Sequence, residues 1–216
     1  MKKPDFNIYT LGSVDYDTAF MFQQQAYNRV LNMKDSGSVF FLEHDPPVIT
    51  LGKRSNPENI LYPQEELEKR GYQIRNTTRG GDVTVHEKGQ LVIYIVFPVK
   101  SKTSGIFVSS LMSIIIDVIK QKWSIEVSYD PGNPGIWIQD RKLGSIGFDL
   151  RNGTSLHGIA INVCNTLDGF NLINPCGMRD LKVTTLEKEL GYNVDISSVI
   201  TEISEAFKLY FYADSK

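Results

Sequence analysis

Apolar residues recur at two different periods along the chain, and the alternation between these periods limits the folds open to it. Three segments carry the spacing of an amphipathic helix. Over residues 16–33, Ala19, Phe20, Gln23, Ala26, Tyr27, Val30 and Leu31 share one face, and all but Gln23 are apolar. Val108, Leu111, Met112, Ile115, Val118 and Ile119 mark a second helix. Val199, Ile200, Ile203, Phe207, Tyr210 and Phe211 mark a third over 196–211. Between them lie β-rich runs: NIYTLG, SVFFLEH, VITLG, YQIRN, DVTV and QLVIYIVFPV, then SIEVSY, GIWIQ, RKLGSIGFDL and SLHGIAINV. The last four predict an antiparallel meander with turns at Pro131–Pro134 and Asn152-Gly153. A turn is expected at Pro46-Pro47, a short helix in PQEELEKRG ending at Gly71, and a hairpin or loop at HEKG. Strand runs broken by a few long helices point to an α+β domain rather than a doubly wound one. With 216 residues and no repeat or linker, one domain spanning residues 1–216 is expected.

Composition narrows the function. The 23 basic and 25 acidic residues leave a net charge of -2, which argues against a nucleic-acid surface. The opening MKKPDFNIYT lacks the apolar core of a secretory signal. Ser109, Ser110, Ser113, Asp117 and Lys120 interrupt the most apolar helix, against a membrane span. The expectation is a cytoplasmic protein that binds neither membrane nor nucleic acid. No strand is followed by G-x-G-x-x-G, and there is no G-x-x-x-x-G-K-[ST], so no nucleotide cofactor is expected.

Cys176 sits between a proline and a glycine in INPCGM, and the only other cysteine is Cys164. It reads as a buried filler, half of a disulfide, a metal ligand or a nucleophile. Two cysteines seldom bridge in a reducing compartment. His44, His86, His157 and the cysteines show neither C-x-x-C nor H-x-x-x-H spacing, so no metal is expected. Filler cysteines sit in periodic apolar runs, as Cys164 does in IAINVC, and Cys164 is expected to be inert. Pro175 fixes its own φ and biases Asn174 toward extended geometry. That leaves Cys176 as a nucleophile candidate in need of a neighbouring base or cation. A backbone N–H near Gly80 or the cysteine bend is a candidate oxyanion donor.

Two other segments could carry chemistry. Arg79-Gly80-Gly81 lets the backbone approach a ligand, though spacing alone favours a plain β-hairpin with a surface arginine. Lys142 opens a strand with small residues, Gly144, Ser145 and Gly147, close behind it. It is either a solvated strand-end charge or, turned into a pocket, a general base. His157, alone in an apolar strand, reads most simply as a structural histidine.

Together these segments carry a likeness. FLEHDPPVITLGKRS, RGGDVTVHEKGQLVIYIVFP, KLGSIGFDL, SLHGIAINV and FNLINPCGM resemble, in order, the lipoate-biosynthesis octanoyltransferases, or lipoyl(octanoyl) transferases, over about residues 8–190. The combination of R-G-G-x-x-T-x-H, K-[LI]-x-x-x-G, H-G-x-A-x-N and P-C-G is far more specific than any one piece. The resemblance implies a biotin/lipoate protein ligase-like fold of mixed sheets with flanking helices. It implies an acyltransferase that carries octanoyl from octanoyl-acyl carrier protein to a lysine of lipoyl domains. The acceptors it implies are the 2-oxoacid dehydrogenases and the glycine cleavage H protein. It implies a thioester on Cys176, with Lys142 as its catalytic partner. It assigns substrate binding to Arg79, Gly80, Gly81, His86, Tyr94, Gly144, Ser145, Ile146, Gly147, His157, Gly158, Ile159, Ala160 and Asn162. A monomer without cofactor or ATP is expected. An ATP-using ligase and a non-catalytic carrier-binding relative are the alternatives, and Cys176 argues against the ligase.

The chain departs from the family pattern twice. Glu87-Lys88 stand where a Gly-Pro pair is usual, in a loop expected to border the acyl pocket. Asp149 stands where an arginine is usual, reversing a charge. A basic rim of residues such as Lys53, Arg54 and Arg141 is a candidate for steering acidic protein substrates, against the plainer reading of each as solvated surface charge.

Overall fold

The computed structural model describes residues 6–178 and 180–213; the first five residues, where the reading of the N-terminus begins, lie outside them. The elements run β1 (Asn7–Val14), α1 (Tyr16–Leu31), β2 (Ser38–His44), β3 (Val48–Leu51), α2 (Gln64–Lys69), β4 (Gln73–Asn76), β5 (Val83–His86) and β6 (Gln90–Val96). They continue with α3 (Ser104–Trp123), β7 (Ser128–Tyr129), β8 (Gly135–Ile138), β9 (Arg141–Arg151), β10 (Thr154–Asn162), α4 (Leu186–Leu190) and α5 (Ile196–Ala213). One sheet has seven strands in the order β1-β2-β6-β10-β9-β8-β7, and a second has three in the order β4-β3-β5. β1 and β2 are parallel, and every other neighbouring pair of the large sheet is antiparallel, including the predicted meander β7–β10. In the small sheet β3 runs parallel to β4 and antiparallel to β5.

The large sheet is covered on both faces, and β6 shows how its sequence divides between them. Val92, Tyr94 and Val96 face α1, where they meet Ala19, Ala26, Tyr27 and Val30. Leu91, Ile93 and Ile95 point the other way, into a core with Leu111, Met112, Ile115 and Ile119 of α3 and Val199, Ile203 and Phe207 of α5. The period is two, but both faces are buried, so the run reads as continuously apolar. By length and by its mean hydropathy of 1.4, α3 would suffice to cross a bilayer. Its stripe at Leu111, Met112, Ile115 and Ile119 is buried in that core instead. A third cluster joins Ile49, Val83 and Val85 of the small sheet to Leu67, Phe170 and Ile173. Asp15 starts α1 by accepting the Thr18 N–H at 2.9 Å, so the helix begins one residue after a polar cap.

Two expectations change. SIEVSY forms a strand only at Ser128–Tyr129. Of the two readings of HEKG the loop holds and the hairpin does not, because β5 pairs with β3 while β6 pairs with β2 and β10. Residues 87–89 therefore carry the chain from one sheet to the other. Glu87 makes that crossing rigid. Its buried carboxylate accepts the Leu167 N–H (3.0 Å), the Gly169 N–H (3.1 Å) and the Asn165 side-chain amide (2.9 Å). The departure at position 87 thus pins the 165–169 turn and does not reach the pocket. Short α4 was not anticipated; Thr185 caps it by accepting the Lys188 N–H.

Glu87→Ala strands three donors in the interior and is expected to lower stability by about 3 kcal/mol. Urea unfolding checks this, with Glu87→Gln losing less.

Candidate active site

β9 and β10 pair Gly147 with Gly158 and Ser145 with Ala160. Side chains of one strand alternate between faces, so these four small groups share the α1-facing side. They leave a hollow in a face that is elsewhere packed. A cleft of about 580 Å³, counted to its open mouth, occupies the hollow. Val92 and Tyr94 of β6, Tyr16 of α1, Thr84 and His86 of β5, His157 and the Arg79–Asp82 loop also line it. Ile146 and Ile159 border the cleft, but their side chains join the α3–α5 core. Gly144 and Asn162 are not among the lining residues. Asn162 instead accepts from Gln90 (2.9 Å) and donates to the Thr184 carbonyl (3.1 Å). Thr184 N–H donates in turn to the Lys142 carbonyl at 3.0 Å, so Asn162 supports the segment beside Lys142.

A β-bulge aims Lys142. Ile136 of β8 pairs with Gly144, but Trp137 pairs with Lys142, so β9 carries one extra residue there. The bulge resets the alternation. Leu143 enters the α3–α5 core, and Lys142 lines the cleft. A Cβ on Gly135 would lie 2.5 Å from Lys142 Cε, so Gly135 leaves the slot through which the lysine passes. The amine lies 5.3 Å above the Trp137 ring and donates to Cys176 Sγ at 3.5 Å. Lys142 is only 2 % exposed, which rules out a solvated strand-end charge.

Cys176 is exposed at the mouth. Its backbone is left-handed (φ 57°, ψ 21°), uncommon for a residue with a Cβ. The following Gly177 also has positive φ, +75°. The bend is anchored by Asn174 N–H to Asn59 carbonyl, 2.8 Å. Asp82 accepts from the Asn59 side chain (2.6 Å) and from Asn56 N–H (3.0 Å), tying that loop to β5. Gly80 N–H donates to the Phe148 carbonyl at 3.0 Å, so it is not a free oxyanion donor. The N–H groups of Gly81 and Cys176 take no partner among the described residues.

Arg79 is buried, not a surface residue of a hairpin. Nε and Nη2 donate to Thr50 Oγ1 (3.1 and 3.0 Å), Nη2 to the Thr50 carbonyl (2.6 Å), and Nη1 to the Gly80 carbonyl (3.0 Å). Burial pulls its pKa below the ordinary arginine value, and an ionised Cys176 would act the other way. An arginine keeps its proton regardless, so a cation with no carboxylate partner among the described residues faces the cleft.

All three histidines of the chain gather here. His44 Nε2 meets the Tyr94 hydroxyl at 2.7 Å, and its Nδ1 lies 3.2 Å from the Val14 carbonyl. His86 Nδ1 meets Gln90 Oε1 at 2.7 Å. His157 Nε2 meets Thr78 Oγ1 at 3.0 Å, while its backbone N–H donates to Gln23 Oε1 at 2.8 Å. Burial pushes His44 and His157 down to about 4 and His86 to about 3, so all three rings are neutral at pH 7. Burial also lifts Tyr16 to about 12 and Tyr94 well above its ordinary value.

Burial alone would raise the Asp149 carboxyl. Hydrogen bonds from Lys53 (2.5 Å) and Thr78, with Arg151 at 3.2 Å, outweigh it and hold the pKa below the usual range. The reversed charge is thereby neutralised. Cys164 is exposed and so is no buried filler. Partial burial and the carboxylates of Glu187, Glu43 and Asp195 push its thiol pKa up, which disfavours the thiolate. Tyr16, Thr50, Thr78, Asp82 and His44 were not singled out as site residues by sequence. Gln23, the one polar residue on the apolar face of α1, was a visible signal of a buried polar contact.

Residues 15–208 match the lipoyl protein ligase A/B catalytic domain. An octanoyltransferase of Alkaliphilus metalliredigens is 34% identical over 207 residues, covering 93% of this chain and 94% of that protein. LipL1 of P. falciparum in complex with lipoate shares the fold at a TM-score of 0.77 and 15% identity, over 98% of this chain and 63% of that one. So does the biotin protein ligase of Aquifex aeolicus, at 0.51 and 15%, over 96% and 69%. Fold and match define a catalytic domain of the lipoyl protein ligase A/B class. Within that class the chain belongs to the octanoyltransferase family, acyltransferases of protein lipoylation.

The histidines set an acid limit. Their folded pKa values lie below the unfolded value of 6.5, so the unfolded chain binds more protons as pH falls. Their stabilising effect is complete above pH 6.5 and is lost progressively down to about pH 4 for His44 and His157 and about pH 3 for His86. Each histidine withdraws up to about 1.4 kcal/mol per pH unit in that window. Urea midpoints measured from pH 7.5 to 5 should fall, with a shallower slope in His86→Gln.

Proposed function

We propose that the chain moves an octanoyl group from octanoyl-acyl carrier protein to a lysine of lipoyl domains through a thioester on Cys176. The lipoyl domains of 2-oxoacid dehydrogenases and the glycine cleavage H protein are the acceptors. The observation that carries this reading is the 3.5 Å contact between Lys142 Nζ and Cys176 Sγ at the mouth of the cleft. Lys142, uncharged at the moment of attack, takes the thiol proton. The thiolate adds to the octanoyl carbonyl, and the N–H groups of Gly81 and Cys176 are the donors available to the oxyanion. The carbon–sulfur bond to the donor breaks, and Lys142 returns the proton to the departing thiolate. An incoming lysine amine then attacks the acyl-enzyme and passes its proton to Lys142. The amide forms, and Cys176 leaves as thiolate and is reprotonated. This is two-stage covalent catalysis, and a thioester donor brings its own activation, so ATP has no part in it.

Arg79 holds a fixed positive charge beside the thiolate and oxyanion. The cleft takes the eight-carbon chain over the floor formed by Gly147, Gly158, Ser145 and Ala160. Burying six methylenes supplies roughly 5 kcal/mol before ordering costs. An ATP-using ligase of the same fold would need no nucleophilic sulfur, and the Lys142–Cys176 pair favours the transferase.

Incubation with octanoyl-acyl carrier protein, without ATP, should add one octanoyl group to the intact mass, and Cys176→Ser should abolish the adduct. No adduct together with no transfer to a lipoyl domain would overturn the mechanism. Lys142→Ala should slow acylation by about 10²–10⁴-fold. Gly135→Ala, which closes the lysine slot, should slow it in the same direction while leaving the thiol reactive to small alkylating reagents.

A further inference from the structure

An outer groove of about 1190 Å³, counted to its open mouth, meets the acyl cleft at Cys176. It shares Gly81 and Gly147 with the cleft and runs past Tyr129, Asn133 and Arg54. Acyl transfer at Sγ requires two directions of exit. The octanoyl chain and the departing thiol hang on the same carbonyl carbon and must point apart. If the cleft holds the chain, the groove is the route for the thiol's own substituent.

The groove suits a polar, anionic substituent. Of the three cations expected to form a basic rim, two are neutralised. Lys53 pairs with Asp149 at 2.5 Å and Arg141 with Glu189 at 2.8 Å. Arg54 is exposed, and its side chain has no hydrogen bond or ion pair among the described residues. Its backbone N–H donates to the Gly81 carbonyl at 3.1 Å, so the stem is rooted on the loop that separates groove from cleft. The Tyr129 hydroxyl is likewise unengaged among the described residues, and the Asn133 amide reaches only Met178 Sδ, at 3.8 Å. These groups match an arm built of amides that ends in a phosphate.

We propose that the outer groove binds the pantetheine arm of the acyl donor and that Arg54 pairs with its phosphate. This assignment rests on the thioester reading of Cys176. Arginine is suited to that task because its fork engages two phosphate oxygens at once.

Acylation of Cys176 by octanoyl-phosphopantetheine and by octanoyl-pantetheine, followed by intact mass over time, tests it. The wild-type protein should use the phosphorylated donor with at least about tenfold higher kcat/KM, as one charge-assisted pair supplies. That preference should shrink with added salt. Arg54→Gln should bring the ratio of the two donors close to one, and Arg54→Lys should restore part of it. Equal use of both donors by the wild type, with Cys176 acylated, overturns the groove assignment alone. So does an Arg54→Gln variant that slows both donors by the same factor. Absence of a Cys176 adduct with either donor overturns the thioester reading and this assignment together.

Discussion

The site depends on how β9 lies against its two neighbours. Its register with β10 sets Gly147 opposite Gly158 and Ser145 opposite Ala160, which hollows one face of the sheet. Its bulge against β8 inserts a single residue between Lys142 and Gly144 and so turns the lysine to that same face. Side-chain direction in a strand has period two, so a slip of one residue would exchange the two faces. Ile146 and Ile159 would then fill the hollow, and the small residues would line the α3–α5 core. The hollow and the placement of the amine both follow from how β9 pairs with its neighbours.

Much of this was legible in the sequence, for identifiable reasons. The helices α1, α3 and α5 announce themselves by period, and the meander by β-branched runs with Asn152-Gly153 at a turn. Cys176 was legible because a cysteine between proline and glycine lies outside any periodic run. Other features were hidden because they depend on partners distant in sequence. Arg79 looked like a surface residue until Thr50, from another strand, supplied its acceptors. HEKG read as either a hairpin or a loop because local signals cannot say that β5 and β6 belong to different sheets. The bulge at Leu143 leaves no mark in composition. Its nearest trace is the glycine that follows.

The two departures from the family pattern are absorbed by the fold without loss of the site. Glu87 replaces a small residue in the family pattern, yet its carboxylate finds three donors in the 165–169 turn. Asp149 reverses a charge, yet Lys53 and Arg151 answer it. Both substitutions bring their own compensation. In the cleft itself Arg79 and Lys142 stand among three neutral imidazoles. A low-dielectric wall with two fixed nitrogen donors strengthens any interaction with developing negative charge.

The left-handed backbone at Cys176 also limits what can replace it. A residue in that conformation must tolerate crowding between its Cβ and the main chain, which glycine, asparagine and aspartate do most readily and β-branched residues do worst. Threonine and valine are therefore poor tenants of the position, whatever their chemistry. The turn thus narrows the set of side chains that can stand at the mouth of the cleft before their chemistry is considered.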